Sequence, residues 1–211
     1  MTVRWYVAYA LSYRDIEELM RERGVPVDHA TVQRWVTHFA PLLSAVLKKR
    51  KASVNGSWRM DETYIKIKGK WYYRYRAVDK YGFTIDFMLS KHRDANAARR
   101  FFKKAIRSSG LPAKITIDKS GANTAGIDAI NETLDKDKRI EIRQIKYLNN
   151  IVEQDHRFIK KITKPMKGFK SFHSARSTLA GIELHHMLRK RQYFGRETCT
   201  TVWDQFYDLA A

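Results

Sequence analysis

Three carboxylates in this chain have local settings and a spacing that favour phosphodiester chemistry. Asp61 lies in the β-prone stretch 58–67, Asp118 ends the apolar run 114–117, and Glu153 lies near a predicted helix start. Thirty-four residues separate Asp118 from Glu153 (153 − 118 − 1 = 34). Three clustered carboxylates would repel one another, and two divalent cations on oxygen ligands would remove that repulsion. Two such metals can activate an attacking oxygen and stabilise the leaving oxygen of an in-line displacement.

Each of these acids also has a simpler structural explanation. Asp61 could be a hydrogen-bonded acid in a strand, but aspartate is depleted in strands and an unpaired buried carboxylate is costly. Asp118 could cap the turn at 119–121. With Asn150 as N-cap, Glu153 would occupy the third position of a capping box, and the sequence alone favours that interpretation. Four further acids remain rivals: Glu62, Asp79, Asp86 and Asp155.

A basic residue follows Glu153 at helical spacing. Lys160 lies seven residues further on, about two helical turns away, and His156 lies between them at i+3. On one face of a helix, the carboxylate of Glu153 could bind a metal and the amine of Lys160 could bind a DNA phosphate. A solvated lysine is an equally good interpretation.

Composition points to a polyanionic partner. The 211 residues allow one substantial domain and a small one, and the net charge is +19 with a pI near 10.0. Nucleic acid is the default partner and an acidic membrane surface is the rival. Residues 143–196 carry thirteen Lys/Arg and three Asp/Glu, so the basic excess follows Glu153. No apolar run predicts a membrane span or secretory signal, and the single cysteine, Cys199, fits a reducing cytoplasm.

The elements that must position the three acids follow from the hydrophobic periodicity. After a boundary near residues 53–57, three strands joined by short turns precede alternating helices and strands. This β-β-β-α-β-α-β-α-α order predicts an α/β fold with a ribonuclease H-like mixed sheet flanked by helices. If the first and fourth strands are neighbours, Asp61 and Asp118 can meet at one sheet edge. The predicted strands are 58–68, 71–78, 83–89, 114–117 and 140–145, and the helices are 94–109, 122–135, 150–163 and 174–192.

The N-terminal region is predicted to be a small all-α domain with helix-turn-helix spacing. Ser12 and Asp15 fit a capping box, residues 24–26 break the first helix, and Asp28 caps a second helix that ends near Phe39. A further helix then runs into a linker. An ordinary helical hairpin is an equal alternative. Candidate base-reading residues near the start of the second helix are His29, Thr31, Gln33 and Arg34.

Three segments closely resemble the DDE transposases of the bacterial insertion-sequence family IS-six. They are residues 58–66, 115–123 and 146–157, which surround the three acids, and the last is the most specific. Residues 168–172 and 180–184 resemble that family's C-terminal helical region, and 27–36 its helix-turn-helix. The resemblance covers nearly the whole chain. The family usually has a further segment before the residues that match 3–6, which suggests a shortened or misassigned start.

By this resemblance Asp61, Asp118 and Glu153 are the catalytic and metal-binding triad, and Lys160 is a DNA-binding residue. The implied cofactor is Mg²⁺, as two ions, with Mn²⁺ able to substitute. The implied domains are a helix-turn-helix region with a linker helix at 1–52, a ribonuclease H-like DDE catalytic domain at 57–195 and a tail at 196–211.

The expected function is an insertion-sequence transposase that binds element ends, nicks DNA and joins the 3′-hydroxyl to target DNA. Replicative cointegrate formation is the expected pathway. The partners would be terminal inverted repeats and target DNA, without a membrane, and the protein would act as a homodimer or larger assembly in the bacterial cytoplasm, associated with the nucleoid. Two alternatives remain: a catalytically idle remnant that represses transposition, and a related nuclease that cuts without joining.

Overall fold

The structure, a computed structural model, describes residues 1–196 and 199–211. The chain divides into two compact units. Residues 53–66 and 70–157 form one, the sheet unit, and residues 1–52, 67–69 and 158–211 form the other, the helical unit. These compact units are defined by contacts within the chain and not by function. The predicted functional division into 1–52, 57–195 and 196–211 therefore stays a prediction.

The described residues form eight α-helices and five strands, in an order close to the predicted one. Short 3-10 turns lie at 136–138 and 146–149. The strands are β1 Ser57–Ile67, β2 Lys70–Asp79, β3 Thr84–Ser90, β4 Lys114–Thr116 and β5 Glu141–Arg143. The helices are α1 Thr2–Ala8, α2 Tyr13–Arg21, α3 His29–Lys49, α4 Ala95–Ser109, α5 Gly121–Asn131, α6 Asn150–Thr163, α7 Phe172–Arg189 and α8 Val202–Asp208.

The five strands form one mixed sheet with the order β3-β2-β1-β4-β5. β2 and β3 are antiparallel, whereas β4 is parallel to both β1 and β5. Only Lys68 and Gly69 join β1 to β2, and both have positive φ, so this connection is a two-residue hairpin between antiparallel strands. The mixed sheet and the initial meander that the sequence predicts are confirmed.

Helices α4 and α5 pack closely together in the sheet unit. Asp94 caps α4 by accepting the N–H of Ala97 at 2.7 Å. A Cβ at Gly126 of α5 would lie 2.7 Å from Cβ of Ala98, so the absence of a side chain permits the contact. The buried core shared by these helices and the sheet includes Trp58, Met60, Tyr75, Phe101, Phe102, Ile115, Ile117 and Ile127.

The predicted helix starts in the N-terminal region are correct, but the second helix is longer than predicted. Ser12 and Asp15 form the capping box of α2, and Asp28 accepts the N–H groups of Ala30 and Thr31 at the start of α3. The prediction that this helix ends near Phe39 is wrong, because α3 continues to Lys49 with Pro41 inside it. Helix α1 was not predicted.

Helix α7 is the centre of the helical unit and packs against α1, α3 and α8. It is buried over most of its circumference. A Cβ at Gly181 would lie 2.5 Å from Cγ1 of Val7 and 2.9 Å from Cβ of Ala40, so glycine allows the close approach of α7 to α1 and α3. The predicted tail contains α8, which Thr201 and Asp204 cap. Among the described residues, no helix is long and apolar enough to cross a membrane.

Candidate active site

The pairing of β1 with β4 brings the two aspartate-bearing segments side by side. Ser57 lies opposite Lys114 and Arg59 lies opposite Thr116, so paired residues differ by 57 in number. The same offset, continued two residues past the last pair, relates Asp61 to Asp118 (61 + 57 = 118). The predicted adjacency of these strands is therefore confirmed: Asp61 lies within β1, and Asp118 lies two residues after the end of the neighbouring parallel strand β4.

Asp61 lies against a buried histidine of α6. Its Oδ2 is 3.4 Å from Nε2 of His156, and the aspartate side chain is 23% exposed. The other ring nitrogen of His156, Nδ1, lies 3.3 Å from Nη1 of Arg74. Burial lowers the pKa of His156 to about 4; interaction with Asp61 opposes this shift, and Arg74 and Arg76 reinforce it. The imidazole is therefore neutral at neutral pH.

Asp118 has partners on both carboxylate oxygens. Its Oδ1 accepts the N–H of Ser120 at 3.1 Å and the Nδ2 amide of Asn123 at 3.2 Å. Its Oδ2 accepts from Nη2 of Arg93 at 3.1 Å. The local turn contact that the sequence suggested therefore exists beside a contact with a distant arginine, and the side chain remains 41% exposed.

Arg93 also contacts Glu62, on the opposite side of β1 from Asp61. Nε of Arg93 lies 3.3 Å from Oε1 of Glu62, whose side chain is only 4% exposed. Burial raises the pKa of Glu62, and the charge of Arg93 opposes that shift. Adjacent strand residues point to opposite faces, so Asp61 and Glu62 have different surroundings. Sequence reasoning missed Arg93, because a loop residue 31 positions from its partner leaves no local signal.

Glu153 lies in the first turn of α6 and is exposed. Asn150 has helical backbone angles, φ −53° and ψ −32°, and follows the 3-10 turn at 146–149. An N-cap has non-helical angles, so the predicted capping box of Asn150 and Glu153 is wrong. Within the described residues, Glu153 has no hydrogen-bond or ion-pair partner on its side chain, so its carboxylate is available for another role. Lys160 is exposed on the same helix.

Two contacts hold the start of α6 against the sheet. Arg76 of β2 forms a buried ion pair with Asp155, and the Nδ2 amide of Asn149 donates to the carbonyl of Met60 at 3.4 Å. Met60 precedes Asp61 on β1, and Asn149 precedes α6. The helix that carries Glu153 is therefore attached to the strand that carries Asp61.

The remaining rival acids have structural partners. Asp79 accepts the backbone N–H groups of Asn55, Tyr81 and Phe83, each at 2.9 Å, and so shapes the turn after β2. Buried Asp86 lies 2.9 Å from Nζ of Lys104. Both acids stabilise the sheet unit, as Asp155 does through Arg76.

The chemistry of the three carboxylates fits a divalent cation. Hard oxygen ligands suit Mg²⁺, and Asp61, Asp118 and Glu153 are all partly or fully exposed. Within residues 1–196 and 199–211, however, no three His, Cys, Asp or Glu side chains lie close enough to hold one ion. Arg93 engages one oxygen of Asp118, so binding of a cation there requires this ion pair to rearrange.

The predicted base-reading residues all lie in the first two turns of α3, but some of their side chains already have partners within the protein and others do not. Nδ1 of His29 lies 2.9 Å from Oε2 of Glu17. The hydroxyl of Thr31 donates to the cap residue Asp28 at 2.8 Å and accepts from Arg34 at 2.6 Å. Gln33 and Arg34 are exposed. The hydroxyl of Thr31 is thus committed to the helix start, whereas Gln33 is open to a ligand.

Comparison with known proteins decides the family. The DDE-domain model of the IS240 transposase type matches residues 55–192. The transposase of the insertion sequence-like element IS431mec from Staphylococcus aureus is 42% identical over 204 residues, which cover 94% of this chain and 89% of that protein. This chain belongs to the DDE transposases of the insertion-sequence family IS-six. It is a metal-dependent polynucleotidyl transferase.

Two further comparisons agree with this assignment. The transposase of IS257 in transposon Tn4003 from Staphylococcus aureus is also 42% identical, with 94% of this transposase and 89% of that protein covered. The solved magnesium complex of the HTLV-2 integrase catalytic core domain, trimeric form, gives a TM-score of 0.52 at 17% identity and covers 74% of this chain and 99% of that chain. At this identity the likeness concerns the fold alone, and it confirms the predicted ribonuclease H-like architecture.

Proposed function

We propose that this transposase binds the terminal inverted repeats of an insertion sequence, nicks one strand at each end and joins the freed 3′-hydroxyl to target DNA. Asp61, Asp118 and Glu153 would hold two Mg²⁺ ions, with Mn²⁺ able to substitute. The observation that supports this most strongly is the pairing of β1, which carries Asp61, with β4, which ends two residues before Asp118. Its proposed place of action is the nucleoid of the bacterial cytoplasm, because its substrate is DNA.

The surroundings of the three acids suggest a division of labour. Ser120 and Asn123 hold one oxygen of Asp118, so the other oxygen is the one that exchanges Arg93 for a ligand. Glu153 is exposed and would complete the site from α6. When bound between such acids, two divalent cations activate the attacking oxygen and stabilise the leaving oxygen.

A groove in the helical unit supports a role for the N-terminal helices in DNA binding. Its volume is about 740 Å³, and the start of α3 contributes His29 and Gln33 to its lining. Basic side chains line it too, namely Arg14 of α2 and Lys170 of the segment before α7. Base-reading polar groups next to phosphate-binding cations are what duplex recognition requires. We therefore propose His29, Gln33 and Arg34 as DNA-contacting residues, with Thr31 as a support for Arg34 and Lys160 as a phosphate contact.

The short interval between Asp118 and Glu153 supports single nicks rather than double-strand breaks. Helix α5, strand β5 and two 3-10 turns fill this interval, which leaves no room for an inserted domain of the kind associated with hairpin cleavage. One active site would then cut one strand per element end, and host replication would complete a cointegrate. Two ends must be processed together, so a homodimer or larger assembly would act. Sequencing of two-plasmid mating products tests the pathway: mainly simple insertions with a broken donor would contradict it.

A supercoiled donor plasmid tests the activity itself. With Mg²⁺, the wild-type protein should nick at the element ends and join them to target DNA, and a chelator should stop both reactions. Binding without cleavage would instead indicate a repressor remnant, and cleavage without joining would indicate a nuclease. The matched control is a donor with scrambled ends, which should be neither nicked nor joined at those positions.

A further inference from the structure

One buried imidazole connects the strand that carries Asp61 with the helix that carries Glu153. His156 is only 3% exposed. Its Nδ1 lies 3.3 Å from Nη1 of Arg74 on β2, and its Nε2 lies 3.4 Å from Oδ2 of Asp61 on β1. Each ring nitrogen therefore has a different charged neighbour, and the two neighbours lie on adjacent strands of the sheet.

The identity of these neighbours determines which nitrogen carries the proton. Arginine has only hydrogen-bond donors, so Nδ1 of His156 can contact Arg74 favourably only as an acceptor. A ring that accepts at Nδ1 carries its single proton on Nε2, the nitrogen that faces the carboxylate of Asp61. A proton on Nδ1 would instead place two hydrogen-bond donors, Nδ1–H and the Arg74 guanidinium, against each other inside the protein. It would also turn the lone pair of Nε2 toward the negatively charged oxygen of Asp61.

The contact with Asp61 is longer than a regular hydrogen bond. N–H···O bonds usually measure about 2.7–3.2 Å, and Nε2 has no partner of regular geometry among the described residues. A buried N–H next to a carboxylate oxygen at 3.4 Å needs only a small rotation of the aspartate to pair. Engagement of Oδ2 would fix the plane of the carboxylate and leave Oδ1 for another ligand.

We infer that His156 is a positioning residue for Asp61, held by Arg74 in the tautomer that donates from Nε2. The inference rests on the proposed catalytic role of Asp61. His156 lies three residues after Glu153 on α6, so one side chain both orients the strand-borne acid and attaches the helix that carries the glutamate. Groups that hydrogen-bond to a metal ligand set its orientation, and their loss commonly costs about 10–100-fold in metal affinity or activity.

The tautomer can be read directly in the full-length, metal-free protein. Labelling of histidine with ¹⁵N distinguishes a protonated Nε2 from a protonated Nδ1 by chemical shift, and the His156 signal is identified by its absence from His156→Gln. We expect the Nε2–H tautomer at neutral pH. An Nδ1–H tautomer would overturn the inference whatever the activity of any variant.

Two substitutions separate positioning from packing. His156→Phe keeps a planar ring but has no donor, whereas the side-chain amide of His156→Gln can donate to Asp61. We expect His156→Phe to nick about 10–100-fold more slowly and to bind Mn²⁺ correspondingly more weakly, with an unchanged Kd for DNA. His156→Gln should recover most of this loss. His173→Phe, at an exposed position on α7, is the matched control and should nick like the wild type.

Asp61→Asn makes the possible failures distinguishable. If Asp61→Asn nicks at the wild-type rate, the proposed function is wrong and the positioning role falls with it. If Asp61→Asn is inactive while a folded His156→Phe nicks and binds Mn²⁺ like the wild type, only the positioning role is wrong. Thermal unfolding curves show whether each variant is folded. Should His156→Phe not fold, the Gln variant and the tautomer measurement still decide, because a folded His156→Gln that nicks about 10–100-fold more slowly than the wild type would contradict the inference.

Discussion

The start of α6 and the segment that follows it are both rich in charge, yet they use it in opposite ways. At the start, Asp155 pairs with Arg76 and His156 contacts Arg74, and both arginines are fully buried in the sheet unit. In the helical unit, the following segment exposes its basic side chains. These exposed lysines have no ion-pair partner within the described residues. They are Lys160, Lys161, Lys164, Lys167 and Lys170.

This difference shows why net charge alone does not locate a DNA-binding surface. A buried arginine satisfies the internal groups that surround it, and its planar donors suit a fixed partner. An exposed lysine without an internal partner is free to replace the counterions of a phosphate. The basic residues that give the chain its net charge of +19 thus include some that stabilise the site and others that are available to a polyanion.

The largest expected effect separates chemistry from binding. Asp118→Asn removes one carboxylate charge from the proposed metal site, whose contribution of several kcal/mol corresponds to a loss of cleavage of about 10³-fold or more. DNA affinity should change little, because the exposed lysines are untouched. Nicking assays and gel shifts on one preparation measure both. Wild-type cleavage by this variant would remove Asp118 from the mechanism.

Removal of a buried arginine should affect stability rather than binding. Arg76→Leu removes the fully buried arginine that forms an ion pair with the mostly buried carboxylate of Asp155, which should lower the free energy of unfolding by about 3–5 kcal/mol. Urea unfolding measures it. The double variant Arg76→Leu, Asp155→Leu should recover part of the loss, since it removes the carboxylate together with the arginine that paired with it. A single variant as stable as the wild type would show that the pair is not structural.

Removal of exposed lysines should affect DNA binding rather than stability. Lys167→Ala with Lys170→Ala should reduce the slope of log K against log salt by about 2, one for each phosphate that these lysines no longer neutralise. Stability should stay within about 0.5 kcal/mol of the wild type. Lys103→Ala with Lys136→Ala makes the same charge change at exposed positions of the sheet unit. Equal loss of slope in both double variants would mean that binding depends on total charge and not on this segment.

A pH-dependent effect on stability is expected from a buried histidine of the helical unit. Burial lowers the pKa of His185 to about 4, and Arg4, Arg189 and His186 reinforce the shift. The unfolded chain therefore binds more protons between pH 6.5 and 4. Stability from this group is complete above about pH 6.5 and falls toward pH 4, by up to about 1.4 kcal/mol per pH unit. His185→Gln should show a shallower loss in urea unfolding measured at several pH values; an identical slope would contradict this.

Elements with clear local signals were predictable from the sequence, whereas contacts between distant segments were not. β-prone residues between short turns located β1 to β3, and cap residues located the starts of α2 and α3. The cap assigned to Asn150 failed because the sequence does not reveal that a 3-10 turn leads directly into α6. The adjacency of β1 and β4 could only be stated as a condition, since strand order depends on the whole chain.

The candidate site was predictable to the same extent. The spacing and settings of Asp61, Asp118 and Glu153 selected them, and their family resemblance strengthened the choice, although their roles stay a prediction. Arg93 and Arg74 could not be found in this way. Each reaches a residue 25 or more positions away, Asp118 and His156 respectively, and no periodicity encodes such a contact.

The three-part make-up of the helical unit has a consequence for synthesis on the ribosome. Helices α1 to α3 emerge first, but α7, which packs against α1 and α3, lies beyond residue 158. At about 5–20 residues per second, roughly 5–20 s of translation pass between residues 52 and 158. During that interval α1 and α3 lack the helix against which both of them pack in the folded protein. A premature stop before α7 should therefore produce a chain that chaperones retain and proteases remove, so that a truncated gene copy yields no competitor for element ends.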